Sequence, residues 1–201
     1  MVTSTAALRT VIELNLRRFE RVPSPASLIP AAVAMVVVDH DGEPAIPIFE
    51  RTADMSRHAG QMALPGGRVH EGETVEDCAL RELHEEVGLR VDRAGVLGAL
   101  DDFETRSGFN ITPVIVWSGA PAAALQPSPA EVARLFVIPI IDLRRAVGES
   151  NPGRSQEFSL RLSQVEVFAP TAAMLYQFSE VALDGRPARV ADFFQPPFTH
   201  R

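Results

Sequence analysis

The stretch from Gly66 to Leu89, GGRVHEGETVEDCALRELHEEVGL, constrains this chain more than any other. Thr74 with Asp77 three residues on forms a capping pair and Gly88 supplies a stop, so the spacing predicts a helix over about 74–87. At about 100° per residue, Glu82 and Glu86 lie about 40° apart on one face, one turn separated, with Glu85 on the same flank. Ala79, Leu80, Leu83 and Val87 fall on the adjoining face, which would pin the helix to a sheet and hold the acidic edge beside the core. Three carboxylates are therefore expected to converge. Like charges one turn apart repel, and hard oxygen ligands suit Mg²⁺ or Mn²⁺ as the offsetting charge. Just upstream, Pro65-Gly66-Gly67 reads as a tight turn whose missing side chains let backbone groups approach a metal or a phosphate.

A chain of 201 residues fits one domain with a core large enough to surround a groove. No apolar run approaches the ~20 residues of a membrane helix, so no membrane partner is expected. The N-terminal segment mixes Arg and Glu with its apolar residues, unlike a secretory signal, which points to the cytoplasm. The single cysteine, Cys78, cannot form an internal disulfide and is read as helix packing. A net charge of −7 argues against a nucleic-acid partner, since affinity for a phosphate backbone comes mostly from basic residues. A small substrate is favoured over a polymer. All 19 basic residues are Arg, so any phosphate clamp must use Arg, His or backbone N–H groups.

Around the central stretch the pattern alternates strands and helices. Leu8, Val11, Ile12, Leu16 and Phe19 predict an amphipathic N-terminal helix over about 5–19. Segments 31–39 and 45–50, joined by Asp41-Gly42, predict a hairpin. Strands are expected at 94–100 and 108–117, with Pro113 at an edge or bulge, and residues 119–129 read as a loop. Residues 130–147 read as a short helical start, an apolar stretch and a second helix. Residues 171–183 predict a last amphipathic helix with Met174, Leu175, Phe178 and Val181 on its buried stripe. His84 is expected toward solvent, and His40, His70 and His200 have no evident partner.

Gly67, five residues, Glu73, seven residues, Arg81-Glu82-Leu83, one residue, Glu85-Glu86, one residue, then Gly88-Leu89 resembles the Nudix box at every fixed place. The resemblance implies an α/β/α sandwich with a mixed sheet over about 31–183, with the N-terminal helix and a tail from Asp184 as additions to a single domain. It implies a metal-dependent hydrolase cleaving a diphosphate in a small nucleotide-like substrate. Glu82, Glu85 and Glu86 would hold Mg²⁺ or Mn²⁺, completed by a loop carbonyl assigned to Gly66, with Gly67 beside the substrate. Glu73 and Arg81 resemble the pair that braces the loop against the helix. The base stays open among the box carboxylates and a loop residue such as Glu131, itself alternatively a helix-start Glu. Monomer and homodimer are both compatible with the sequence.

Upstream, Glu50 to Gly67 resembles the signature of coenzyme A diphosphatases within that family, through Arg51, His58, Ala59, Gly60, Gln61 and the Pro-Gly-Gly ending. The resemblance implies substrate contacts from Arg51, Arg57, His58, Gly60, Gln61 and Gly67, and coenzyme A or an acyl derivative as substrate. Ser107-Gly108-Phe109 and Thr112-Pro113-Val114 match it downstream. Phe49, Thr52, Ser56, Leu64 and Pro170 depart from it, and at Ser56 an expected Arg is missing, with Arg57 beside it. The alternatives are another nucleoside diphosphate derivative or a nucleoside triphosphate as substrate, and a nucleotide-binding module that has lost its chemistry.

Overall fold

The computed structural model describes residues 5–24, 27–53, 60–152 and 157–196. Helix α1 (Thr5–Arg18) leads into strands β1 (Ile29–His40) and β2 (Glu43–Arg51). The turn between them sets both Asp41 and Gly42 at positive φ, 54° and 87°, the twist that a two-residue hairpin favours. Strands β3 (Met62–Ala63) and β4 (Gly66–Arg68) precede helix α2 (Val75–Val87). Then come β5 (Val96–Ala99), β6 (Phe103–Glu104), β7 (Phe109–Pro121), β8 (Val132–Pro139) and helix α3 (Ile140–Glu149). Strands β9 (Ser159–Arg161) and β10 (Glu166–Phe168) and helix α4 (Thr171–Gln177) follow, with wider π-type turns over Phe178–Leu183.

Strand β1 runs parallel to β7 and antiparallel to β2 and β4, so the sheet is mixed, as expected. Its side chains alternate between two cores, the period that a strand buried on both faces must show. Ala32, Ala34, Val36 and Val38 pack toward Cys78, Ala79, Leu83 and Val87 of α2. Val33, Met35 and Val37 pack toward Ile12 of α1, Leu143 of α3 and Phe178 beyond α4. Helices thus cover both faces, giving the α/β/α sandwich. Among the described residues no helix is long and apolar enough to cross a membrane.

Several local expectations change. Val11 is 38% exposed while Leu8, Ile12 and Leu16 carry the buried face of α1. Pro113 lies in the interior strand β7, but where its neighbour changes: Leu100 donates to the Pro113 carbonyl just past the end of β5. The absent N–H therefore falls at a break between β5 and β6, where it removes no ladder bond. Strand β7 runs on to Pro121 and a single 3₁₀ turn covers Ala122–Ala124, shortening the expected loop. The expected helical start near Ala130 is a turn into β8, because Phe136, Val137 and Ile138 pair with β2 and tertiary pairing overrides weak local propensity. The four apolar positions expected in the last helix are buried, but so are Ala172, Ala173, Gln177 and Ser179, so this helix is enclosed all round instead of lying on the surface.

Two adjacent buried aspartates fasten both chain ends to the sheet. Asp102 accepts hydrogen bonds from Arg21, Thr112, Asn110 and the Ser24 amide. Asp101 accepts from the Val22 amide, from Gln177 and from Arg189. Burial opposes ionisation of Asp102, but its hydrogen bonds together outweigh that and hold the carboxyl below its ordinary value.

Candidate functional site

Helix α2 opens as its sequence requires. Thr74 has extended backbone and accepts from the Asp77 amide at 3.2 Å, and Gly88 closes the helix at φ 71°. Its apolar face is buried against β1, which leaves the acidic edge along the loop that carries β4.

That loop passes close by. Hydrogen bonds from the Ala34 amide to the Pro65 carbonyl and from the Val69 amide to the Pro30 carbonyl fix the β1–β4 register. By the alternation of an antiparallel ladder, the Gly66 amide and carbonyl then turn away from β1. The amide donates to Oε2 of Glu86 at 2.8 Å. A Cβ on Gly66 would lie 2.5 Å from the Ala32 carbonyl oxygen, and one on Gly67 would lie 2.6 Å from Cδ of Glu82. Backbone thus bars any side chain at Gly66, whereas one at Gly67 would displace the Glu82 carboxylate. Cys78 lies beneath, its Sγ 3.5 Å from the Gly67 carbonyl and 3.4 Å from that of Arg68. Burial pushes its thiol up to about 11, so it packs and does not ionise.

Arg81 organises the carboxylates. Its Nε and Nη2 grip both oxygens of Glu73, at 2.9 and 3.1 Å, and Nη2 also reaches the Arg68 carbonyl. Its Nη1 donates to Glu82 at 2.7 Å and to Glu85 at 3.1 Å. Glu73 closes the loop by accepting from the His70 amide. The Arg81 hydrogen bond, which outweighs desolvation, lowers the Glu73 pKa, and the Glu73 bond raises that of Arg81. Helix, loop and three acids are joined through one guanidinium.

Glu86 is 1% exposed. Burial raises its pKa to about 8, against the pull of the Gly66 amide and Arg51, while Glu82 and Glu131 push it further up. Nη1 of Arg51 lies 3.3 Å from Oε1 of Glu86, and the buried Nε of Arg51 has no hydrogen-bond partner among the described residues. Glu82, Glu85 and Glu86 thus share one edge of α2 but turn to separate partners, Glu82 and Glu85 to Arg81 and Glu86 to Gly66 and Arg51. Among the described residues no three acidic, His or Cys groups stand close enough together to ligate one ion.

Beside this edge opens a cavity of about 550 Å³, lined by Arg51, Gly60, Gln61, Gly66 and Gly67 among others. The structure therefore gathers five of the residues expected to contact substrate or metal, and Arg57 and His58 lie outside the described residues. Arg68, Thr105, Ser107 and Gln195 also line it. The sequence assigns no substrate contact to these four, Ser107 entering only through the downstream resemblance, since nothing in the chain order links residue 195 to residue 68. Glu131 sits in the turn before β8, its carbonyl accepting from the Thr52 amide at 3.0 Å. His84, expected toward solvent, is half-buried.

A profile of the NUDIX domain matches residues 28–182. A protein of Pectobacterium atrosepticum described as "Uncharacterized Nudix hydrolase NudL" is 33% identical over 164 residues, covering 78% of this chain and 84% of that one. "Nudix hydrolase 3" of Caenorhabditis elegans is 31% identical over 120 residues, which is 58% of this chain and 50% of the relative. Among solved structures, a MutT/nudix family protein from Enterococcus faecalis superposes with a TM-score of 0.51 at 16% identity, over 84% of this chain and 64% of that one. At that identity the likeness concerns the fold alone. The box helix, its glycine loop and the matched span agree: the chain belongs to the Nudix hydrolase family of enzymes.

Proposed function

We propose that the chain is a divalent-metal-dependent diphosphatase of small nucleotide-like substrates, with coenzyme A or an acyl-coenzyme A as the favoured substrate. The observation that carries the reaction type is the rank of Glu82, Glu85 and Glu86 beside the Gly66–Gly67 loop, held by Arg81 and Glu73. The oxygen donors suit a hard cation in kind: the carboxylates of Glu82, Glu85 and Glu86, turned from the separate partners they hold here, and the Gly66 carbonyl would hold Mg²⁺ or Mn²⁺. The crowding of Glu82 and Glu85 on one guanidinium marks negative charge that a cation would offset, and Glu82 and Glu131 add to the burial that raises the Glu86 pKa. When bound, such an ion supplies charge neutralisation at the diphosphate oxygens and acidifies water.

The chain's own groups do the rest. Gly66 and Gly67 leave room for phosphate to approach the backbone. Arg51, which lines the cavity and whose Nε has no partner among the described residues, is placed to donate to a phosphate oxygen and to offset charge that grows in the transition state. A carboxylate takes the proton of the attacking water, either one on α2 or Glu131, which lies near enough to raise the Glu86 pKa. Arg81 and Glu73 fix the loop and helix relative to each other, so the carboxylates do not have to reorganise.

The coenzyme A reading rests on Arg51, Gly60 and Gln61, which belong to the sequence signature and line the cavity. Coenzyme A, its 3′-dephospho form and ADP-ribose, assayed with Mg²⁺ and Mn²⁺ and with the products identified, test it. Cleavage of coenzyme A to a phosphopantetheine half and adenosine 3′,5′-bisphosphate is expected. A clear preference for ADP-ribose removes the coenzyme A reading and leaves the diphosphatase reading in place. No metal-stimulated cleavage of any diphosphate removes both.

A further inference from the structure

Two arginines among the described residues line the cavity, and they differ in how they are engaged. Arg51 faces Glu86. Arg68 meets no carboxylate within ion-pair distance among the described residues. Its guanidinium instead stands 5.1 Å from the centre of the Phe109 ring. In a chain of net charge −7 with 26 acidic residues, a guanidinium at a cavity wall without an acid is held available for another anion.

The backbone explains how it is held. Arg68 pairs with Ala31 in the β1–β4 ladder, one residue beyond Gly67. Its side chain therefore leaves the sheet on the side opposite Glu82 and enters the cavity. Its carbonyl accepts from Nη2 of Arg81, so its position is locked to the helix that carries the carboxylates. A guanidinium over an aromatic face keeps its N–H donors for other partners. Beside Phe109, the Thr105 hydroxyl is taken up by the turn at Thr105–Gly108, accepting from the Phe109 amide and donating to the Phe109 carbonyl, and it steadies Oγ of Ser107 at 3.0 Å on the wall of the same cavity. Gln195 closes the turn by accepting from the Arg106 amide. The one acid of this wall, Glu166, accepts from the Ser159 hydroxyl at 2.8 Å. The remaining wall is largely apolar, with Met62, Leu64, Ile111 and Met174.

We propose that Arg68, with the hydroxyl of Ser107, forms an anion subsite that holds a phosphate monoester of the substrate remote from the diphosphate being cut. The subsite deepens the diphosphatase reading above and makes Arg68 a specificity residue. A fork of N–H donors beside a hydroxyl suits the several oxygens of a phosphate monoester.

Calorimetric binding of adenosine 3′,5′-bisphosphate and of adenosine 5′-monophosphate to the full chain, wild type, Arg68→Gln and Ser107→Ala, tests this. The wild type is expected to bind the bisphosphate about tenfold more tightly, the worth of one charge-assisted contact. Arg68→Gln should erase that preference with the monophosphate affinity unchanged, and Ser107→Ala should reduce it. Circular dichroism should report an intact fold in both variants. The same preference in Arg68→Gln, or none in the wild type, overturns the subsite. Equal loss for both nucleotides also overturns it, because Arg68 would then grip the phosphate they share. Neither nucleotide contains a diphosphate, so the result stands whether or not coenzyme A is cleaved.

Discussion

The Glu82 carboxylate fills the space a side chain on Gly67 would need: a Cβ there would lie 2.6 Å from its Cδ. The atoms that would be displaced are the far end of a side chain and not backbone. Gly67→Ala should therefore leave the fold standing and move the carboxylate. Turnover of a diphosphate substrate should fall about 100-fold, the scale on which misplacing a group at a metal site is felt, while the melting temperature moves by only a few degrees. A variant with near wild-type turnover would show that Glu82 does no work at its present place.

Glu82→Gln and Glu86→Gln should each lower turnover by orders of magnitude with helix content unchanged, since Gln and Glu have similar helix propensities. Turnover close to wild type in both at saturating Mg²⁺ would remove them from the metal site.

Glu86 also predicts a pH dependence. Its pKa is raised from 4.5 to about 8, so the folded chain keeps a proton that the unfolded chain has lost. The stability this group contributes to the metal-free protein is full below about pH 4.5 and is lost as pH rises through about 8. Urea midpoints measured at pH 5, 7 and 9 should fall for the wild type and fall less steeply for Glu86→Gln. Parallel slopes in the two proteins would assign the dependence to another group.

Arg81→Lys keeps the charge and loses the fork that holds Glu73, Glu82 and Glu85 together. Activity should drop roughly 10- to 100-fold, and the metal concentration for half-maximal activity should rise. Full rescue by lysine would mean that the charge alone suffices.

Asp102→Ala removes a buried acceptor used by Arg21, Thr112, Asn110 and the Ser24 amide. Stability should fall by about 3 kcal/mol, the scale of breaking a buried ion pair. Because its pKa is depressed below 3.8, the stability it gives is present above that pH and is lost as pH falls through the lower folded value. Acid unfolding curves of wild type and variant should converge at low pH. A constant offset between them would contradict the ionised assignment.

Helix α2 was legible in the sequence almost to the residue, because its signals are local: a threonine cap, a period of 3.6 and a glycine that alone accepts the left-handed stop. Glu82, Glu85 and Glu86 could be placed on one edge for the same reason, since helix geometry sets their mutual positions, whereas the roles of Glu73 and Arg81 came from the resemblance to the Nudix box. The β1–β2 hairpin was equally local. What the carboxylates face was not. Glu86 is shut away at 1% exposure and set against Arg51 because β2 and β4 converge on β1, and no periodicity encodes that meeting. The turn near Ala130 was misjudged because pairing with β2, 80 residues earlier, decides its form. Val11 sits at helical spacing yet faces outward, because the core accepts only one stripe of α1. The cavity is the clearest case. Arg68, Thr105, Ser107 and Gln195 come from three separate parts of the chain, and the tail that reads as an appendage contributes Gln195 to its lining. Sequence sets what neighbours along the chain do to each other, whereas contacts between distant segments exist only once the sheet has brought them together.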